Sequence, residues 1–475
     1  MALAGGACGS DPRATIPLGN VAVETVPDYS LAVTLRFSTA SAARPTVTVV
    51  GPDGERVLPQ RAVTSDPDGT VHRADVIGLR PRTEYRFRVG GRHIVADESA
   101  SFTTGAVPDG FPRIDVHASA PDRMQPGLTL LSLSGLGGGW LIALEASGRP
   151  VWYFHPEVNG IIAGVRQLDD GRIAYLTTAW DALHLVDPVT RTETVMLPEQ
   201  LGLDTIHHEP DLGPDGHLLL LGSELRYVDD GAGGSRALVG DVISEVTLEG
   251  AVLAQWHAFD FLAPGRILPD ARIPFWNAEY PGIPGLLDWT HLNSVSYVAR
   301  DDSLVVSSLN QHLLFKLSRA GQLVWVIGED RGDTAADDAW PWLARAPGGE
   351  WPLRQHSVEA SRADEHLWIY DNGFDSLVSR ASEIVVDERA GAARIAWSWS
   401  DPDPRPRIFT PVGGDFDVLA NGNRLVYSGL NLELSAALSE LDGTTDEKVF
   451  DVRFPRNGGF NATRIGSLHP PESGP

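Results

Sequence analysis

From residue 128 onward the apolar residues come in short runs separated by polar turns, and helical spacing is nearly absent, which predicts a chain of β-strands. Six segments align: LIALEASGRPVWYF, LHLVDPVTRTETVML, ISEVTLEGAVLAQWHA, LFKLSRAGQLVWVIG, IVVDERAGAARIAWSW and LSELDGTTDEKVFDVRF. Each reads as strand, short polar turn and second strand, and Trp152, Trp256, Trp325 and Trp397 recur near the end of the second strand. They recur every roughly 40 to 70 residues, the spacing of propeller blades with variable loops. A second repeat precedes most of these hairpins: VRQLDDGRIAYLTT, HHEPDLGPDGHLLLLGS, HLNSVSYVARDDSLVVSS, HSVEASRADEHLWIYDN and FDVLANGNRLVYSG. Its strands supply the inner strand of each blade, so polar residues at the start of each unit face the central axis. The pattern predicts an all-β chain with a six-bladed β-propeller over 128–475; a sandwich of that length does not explain so regular a repeat.

Between Ala14 and Gly105 the pattern is again alternating, with Val/Thr/Phe-rich runs divided by the turns GPDGE and DPDGT. The segment GLRPRTEYRFRV followed by SFTTG resembles a fibronectin type III domain, with Leu79, Pro81, Thr83 and Tyr85 in the tyrosine-corner strand. The resemblance implies a β-sandwich over 14–105, a module that ordinarily spaces or docks. A Pro/Gly-bearing linker over 106–127 then leads to the propeller, and residues 1–13 read as a disordered or residual lipoprotein-signal terminus.

Composition narrows the function. A formal net charge of −25 argues against a nucleic-acid backbone as partner and disfavours an anionic membrane surface. An anionic substrate therefore needs a pocket with its own cluster of donors. The single Cys8 permits no intrachain disulfide. It follows small residues in MALAGGACGS, which resembles the end of a bacterial lipoprotein signal and implies an exported, periplasmic or cell-envelope protein anchored through a lipid on Cys8; a plain Ala/Gly terminus is the other reading. No run reaches the roughly 20 apolar residues of a membrane helix.

Histidines carry the candidate chemistry. Aligning the inner-strand units on Leu218, Leu304 and Leu367 places His207, Asn293 and His356 at one level of the channel. His291 lies two residues before Asn293, so strand alternation puts both on one face, while adjacent His207 and His208 are expected on opposite faces. His184, His217, His312 and His366 fall in apolar strands or beside turns and read as structural. Three chemistries stay open for the cluster. A zinc site has the ligands but no H-E-x-x-H spacing. In nucleophilic catalysis one imidazole attacks, a second protonates the leaving oxygen, and amide or cationic donors hold the transferred group. A structural hydrogen-bond network is the third. There is no G-x-x-x-x-G-K-[ST] loop and almost no lysine, so no nucleotide phosphate site is expected. The long connections after Trp256 and Gly328 carry Phe275, Trp276, Tyr280, Trp340, Trp342 and Trp351, as an aromatic mouth or as rim packing.

DWTHLNSVSY with DDSLVVSS, the downstream KLSRAGQLVWVIG, and RQHSVEA with IYDNG resemble the bacterial arylsulfate sulfotransferases, from roughly Leu201 to Asn457. These enzymes move sulfate between phenols without a nucleotide donor, and a β-sandwich before the propeller fits their plan. The resemblance implies transient sulfation of His356, assistance from His291, His207 and Asn293, and substrate contacts from His208, Arg354, Asn310 and Gln311. It implies aryl sulfate and phenol as small-molecule partners, with no cofactor and no metal. Two departures stand out: Ser307, Ser308, Leu309, Asn310 and Gln311 occupy the place of a family S-S-R-x-Q, so a cation is missing, and a cysteine pair of some members is absent. Arg354 is the arginine nearest in sequence to His356. A hydrolase or lyase using the same histidines, or a non-catalytic ligand-binding propeller, are the alternatives.

Overall fold

The computed structural model describes residues 15–135, 138–157, 161–178, 182–328, 337–346, 351–361, 365–403, 408–431 and 435–469; Cys8 and the terminus 1–13 lie outside the described residues. The chain divides into two compact units, with the break between Phe111 and Pro112.

The N-terminal unit is a β-sandwich of two four-stranded sheets. One is ordered Ala22–Val26, Tyr29–Ser38, Val71–Val76, Val63–Ser65, and the other Gly54–Val57, Pro45–Gly51, Glu84–Gly91, Ile94–Thr103. The two-residue period sends Val33, Leu35 and Phe37 inward against Val47, Val49, Phe87 and Val89, and this is its core. The Tyr85 hydroxyl accepts the Arg80 N–H at 2.9 Å, the contact of a tyrosine corner.

The second unit is a propeller; among the described residues its strands form six sheets, each of four or five strands. Their inner strands are Ile161–Gln167, His207–Leu212, Leu292–Val298, His356–Ala360, Asp415–Val418 and Ala462–Ile465. Each of the first five touches the next around the axis, Ala462 N–H donates to Asp415 Oδ2 at 3.2 Å, and the last strand returns to the first. An inner strand has no neighbour on its axial edge, so its N–H groups need other acceptors. Side chains of adjacent sheets supply them: Val165 N–H donates to Asn461 Oδ1 at 2.8 Å, Val358 N–H to Ser294 Oγ at 2.7 Å and Ala360 N–H to Ser296 Oγ at 3.0 Å. Ser294 and Ser296 on Leu292–Val298, and Asn461 just before Ala462–Ile465, serve that purpose.

The cores lie between consecutive sheets. In the run of four leucines, Leu218 and Leu220 face Leu183 and Leu185 of the preceding sheet, whereas Leu219 and Leu221 face Val295, Leu304 and Phe315 of the following one. A strand buried on both faces is apolar at every position, which produces such runs.

Ring closure departs from the sequence reading in one respect. Ala462–Ile465 pairs with Leu128–Gly135 as the innermost strand of the first sheet, and Asp115–Ser119 pairs with Lys448–Phe454 as the outermost strand of the sixth. Part of the segment read as a linker is thus a propeller strand. Its sequence, DVHAS, is short and half polar, and its partner lies at the far end of the chain, so no local repeat marks it.

Candidate active site

Every inner strand that contributes to the histidine cluster is bulged. The pairing register shifts between His207 and Asp211, between Leu292 and Ser294, and between His356 and Glu359. Left-handed backbone accompanies the bulges, with φ of 62° at His208, 46° at His291, 57° at Arg354 and 51° at Ser357. Such values are uncommon outside glycine, and a bulge re-aims the side chains it carries.

This overturns the expected alternation of His207 and His208. Their Nδ1 atoms are 2.7 Å apart, so the two rings lie together and not on opposite faces. His208 is the central ring, with centroids 5.1 Å from His291 and 5.9 Å from His356. His207 stands behind it, its Nε2 3.1 Å from Asp241 Oδ1 and its ring edge-on to Trp276. Asp241 also accepts from Leu292 N–H at 2.8 Å and from the Thr290 hydroxyl. The sequence alignment selected His207 for the channel level; the structure gives that place to His208.

Two of the three central histidines have opposite environments. His291 Nδ1 lies 2.6 Å from Asp288 Oδ2, and the other Asp288 oxygen accepts the Trp276 indole N–H at 3.0 Å. Burial works against the His291 cation, but Asp288, with Asp241 behind it, outweighs burial and raises the pKa above the ordinary histidine value. At His356 burial dominates and the Arg354 and His291 charges add to it, so the pKa falls to about 4 even though Nδ1 is hydrogen-bonded to Asn372 Oδ1 at 2.8 Å. Burial and its three histidine neighbours hold His208 well below its ordinary value too. The surroundings thus favour the cation at His291 and the neutral ring at His208 and His356.

The other expected residues fall into two groups. Arg354 faces the cluster: its charge reaches both His291 and His356, its guanidinium sits 4.0 Å over the Phe374 ring, and Nη1 lies 3.5 Å from Asp270. Asn293 spans the fourth and fifth sheets by donating to Gln355 O at 2.7 Å, one residue before His356. Asn310 and Gln311 instead hold the loop beneath His291, donating to the carbonyls of Asp288 at 2.7 Å and of Trp289 at 2.5 Å. Leu309 is buried, its N–H on His291 O at 3.0 Å.

The aromatics divide likewise. Phe275 meets His291 edge-on at 4.4 Å, and Trp276 is buried against Asp288 and His207. Tyr280 is hydrogen-bonded to Ser223, while Trp340, Trp342 and Trp351 pack on the cores between sheets. Phe374 and Phe460 were missed; Phe460 lies 6.3 Å from His208. His184, His217, His312 and His366 each contact a carboxylate, Glu193, Glu245, Asp270 and Glu383 respectively. No group of three or more His, Cys, Asp or Glu among the described residues is arranged to hold a metal ion.

A sequence profile of the family Arylsulfotransferase (ASST) matches residues 113–461. Among curated proteins the chain is 28% identical over 355 residues to the arylsulfate sulfotransferase AssT of Escherichia coli, covering 62% of this chain and 57% of that protein. The chain thus spans a little over half the length of this relative. Solved structures with a loose likeness include a Bacteroides caccae protein of unknown function, at 13% identity and TM-score 0.43 over 69% of this chain and 94% of that one. Streptogramin B lyase is another, at 9% identity and TM-score 0.34 over 96% and 100% of the two chains. At these scores the likeness carries no argument.

Proposed function

This chain belongs to the arylsulfotransferase family, and from that premise we propose that its propeller channel moves a sulfuryl group from an aryl sulfate ester to a phenolic acceptor by way of a sulfohistidine at His356. The observation that carries the mechanism is one buried cluster in which His291 Nδ1 rests on the Asp288 carboxylate and His356 Nδ1 on the uncharged Asn372 amide, an arrangement that favours the cation at His291 and the neutral ring at His356. Neutral His356 attacks the donor sulfur through its free ring nitrogen, and the sulfur–oxygen bond to the aryl group breaks. His291, whose Nδ1 is taken up by Asp288, gives its Nε2 proton to the departing phenolate. In the second half the now neutral His291 removes the acceptor's proton, the phenolate attacks sulfur, and the nitrogen–sulfur bond breaks.

Charge on the nonbridging oxygens needs a fixed donor, and Arg354 takes the part that Leu309 cannot, with Asn293 beside it. Phe275, Phe374 and Phe460 offer faces for the aryl rings. His208 lies between the two reacting histidines and, being neutral, adds a ring N–H or lone pair without a third charge. The N-terminal sandwich is read as a fibronectin type III-like spacer, supported by the Tyr85–Arg80 corner.

Steady-state kinetics test this directly. Two-step transfer predicts parallel double-reciprocal lines when donor and phenol are varied together, and negligible donor consumption without a phenol. Donor turnover in water alone, unaffected by phenol, contradicts transferase action and favours a hydrolase.

A further inference from the structure

We infer that Asn372 is a positioning residue that fixes the tautomer of His356, placing the hydrogen on Nδ1 and leaving Nε2 bare toward the channel. The inference rests on the reading of His356 as the nucleophile only for its consequence; the geometry stands by itself. Asn372 follows the strand His366–Asp371 and is fully buried. The two ends of a side-chain amide are nearly isosteric, so their assignment must come from the partners. Here the partners are decisive. Asn372 Nδ2 lies 2.7 Å from Thr410 O and 3.0 Å from Gly413 O, two backbone carbonyls that can only accept. Both amide hydrogens are therefore used there, and exchanging the two ends would set an oxygen against two oxygens.

The loop bearing those carbonyls is itself anchored. Thr410 N–H donates to Ser379 Oγ at 2.8 Å, and that hydroxyl donates to Asn372 O at 2.9 Å. Oδ1 must then face His356 Nδ1, 2.8 Å away, as an acceptor. A neutral imidazole has one ring hydrogen, so Nδ1 carries it and Nε2 keeps the lone pair. Among the described residues the charged or titratable groups acting on His356 are Arg354, His291 and His208, and its further acceptor is the Arg354 backbone carbonyl, which is uncharged.

The contrast with His291 gives the arrangement its meaning. A carboxylate behind His291 orients that ring and favours its cation; an amide behind His356 orients the ring without adding charge. When Nε2 bonds to sulfur and the sulfur–aryl oxygen bond breaks, the hydrogen stays on Nδ1, donated to Asn372 Oδ1. The sulfated ring is then an imidazolium, which leaves as neutral imidazole in the second transfer.

Nitrogen-15 correlation spectra of the imidazole rings test this in the resting protein, with His356 assigned by the loss of its signals in His356→Gln. The expected result is a single Nδ1–H tautomer; an Nε2–H tautomer overturns the proposal, whether or not the protein transfers sulfate. In Asn372→Ala the expected result is a mixture of tautomers, with kcat lower by at least about tenfold and donor KM little changed. A folded Asn372→Ala protein with one Nδ1–H tautomer and undiminished kcat also overturns it. Should the tautomer be as expected while no variant or wild-type sample transfers sulfate, the functional reading fails and the positioning role stands.

Discussion

Asp288 raises the pKa of His291 while burial lowers that of His356, and the consequence is measurable in pH profiles. Replacing Asp288 by Asn removes the charge that raises His291 and leaves the burial that lowers it. His291 is needed protonated in the first step, so activity is lost as pH rises through its pKa; in Asp288→Asn that alkaline limb moves to lower pH. The loss is expected to approach a hundredfold for phenyl sulfate, whose phenolate needs a proton, and to be much smaller for 4-nitrophenyl sulfate. Equal losses for both donors contradict the acid role. Replacing Arg354 by Met removes a donor from the transferred group, and kcat/KM is expected to fall by about 100- to 1,000-fold. His356 and His291 were legible in the sequence because the inner-strand units align on apolar residues. The exchange of His208 for His207 was not, since the bulge that turns His208 inward sits on a non-glycine residue with φ of 62° and leaves no local signature. Asp288 and Asn372 matter through contacts made at three and sixteen residues' separation, which no spacing rule announces.

The bulged inner strand is the element that makes the site. The second sheet shows the same device without a histidine: its register shifts between Ala163 and Val165, and Gly164 sits there with φ of 63°. A Cβ at Gly164 would stand 2.4 Å from the Cβ of Glu209, the residue after His208. Glycine is required there by both backbone and space. Gly164→Val is expected to cost at least about 2 kcal/mol in urea unfolding, and to lower activity further by displacing the His208 strand. A variant as stable as the parent contradicts the close approach. The connection after Val252–His257 is the second contributing element. It carries Phe275 and Trp276 to the cluster and ends in Leu287–Asp288, which pairs in parallel with Ser235–Val246 and so fixes Asp288. The sequence showed this connection to be long and aromatic. Which rings reach the histidines was hidden, because burial of an aromatic on a rim and in a mouth call for the same composition.

Across the whole propeller the strand repeat was legible, since a strand buried on both faces writes itself as an apolar run. The ring closure joins the two ends of the unit and was not. The channel also holds a carboxylate layer that the sequence did not announce: Glu209, Asp211, Glu359, Asp415 and Asp417 approach one another around Arg166, which lies 2.7 Å from Asp211 and 3.8 Å from Glu359. Burial, reinforced by neighbouring carboxylates, holds the pKa of Glu209 and Asp417 well above the ordinary range. A raised folded-state pKa means the unfolded chain ionises first, so this contribution to stability is full below the ordinary carboxylate range and is lost as pH rises through the raised values. The melting temperature is expected to be higher at about pH 5 than at about pH 8, with the difference reduced in Asp417→Asn. A melting temperature that climbs steadily over that interval contradicts the protonated layer. The central claim, that the channel carries sulfate on His356, is tested most directly by intact-protein mass spectrometry after brief mixing with a phenyl sulfate and no acceptor. The account predicts one added sulfuryl group, mapped to the peptide holding His356, absent from His356→Ala and discharged by adding a phenol. Full turnover by His356→Ala, or a sulfuryl group mapped to another residue, would contradict it.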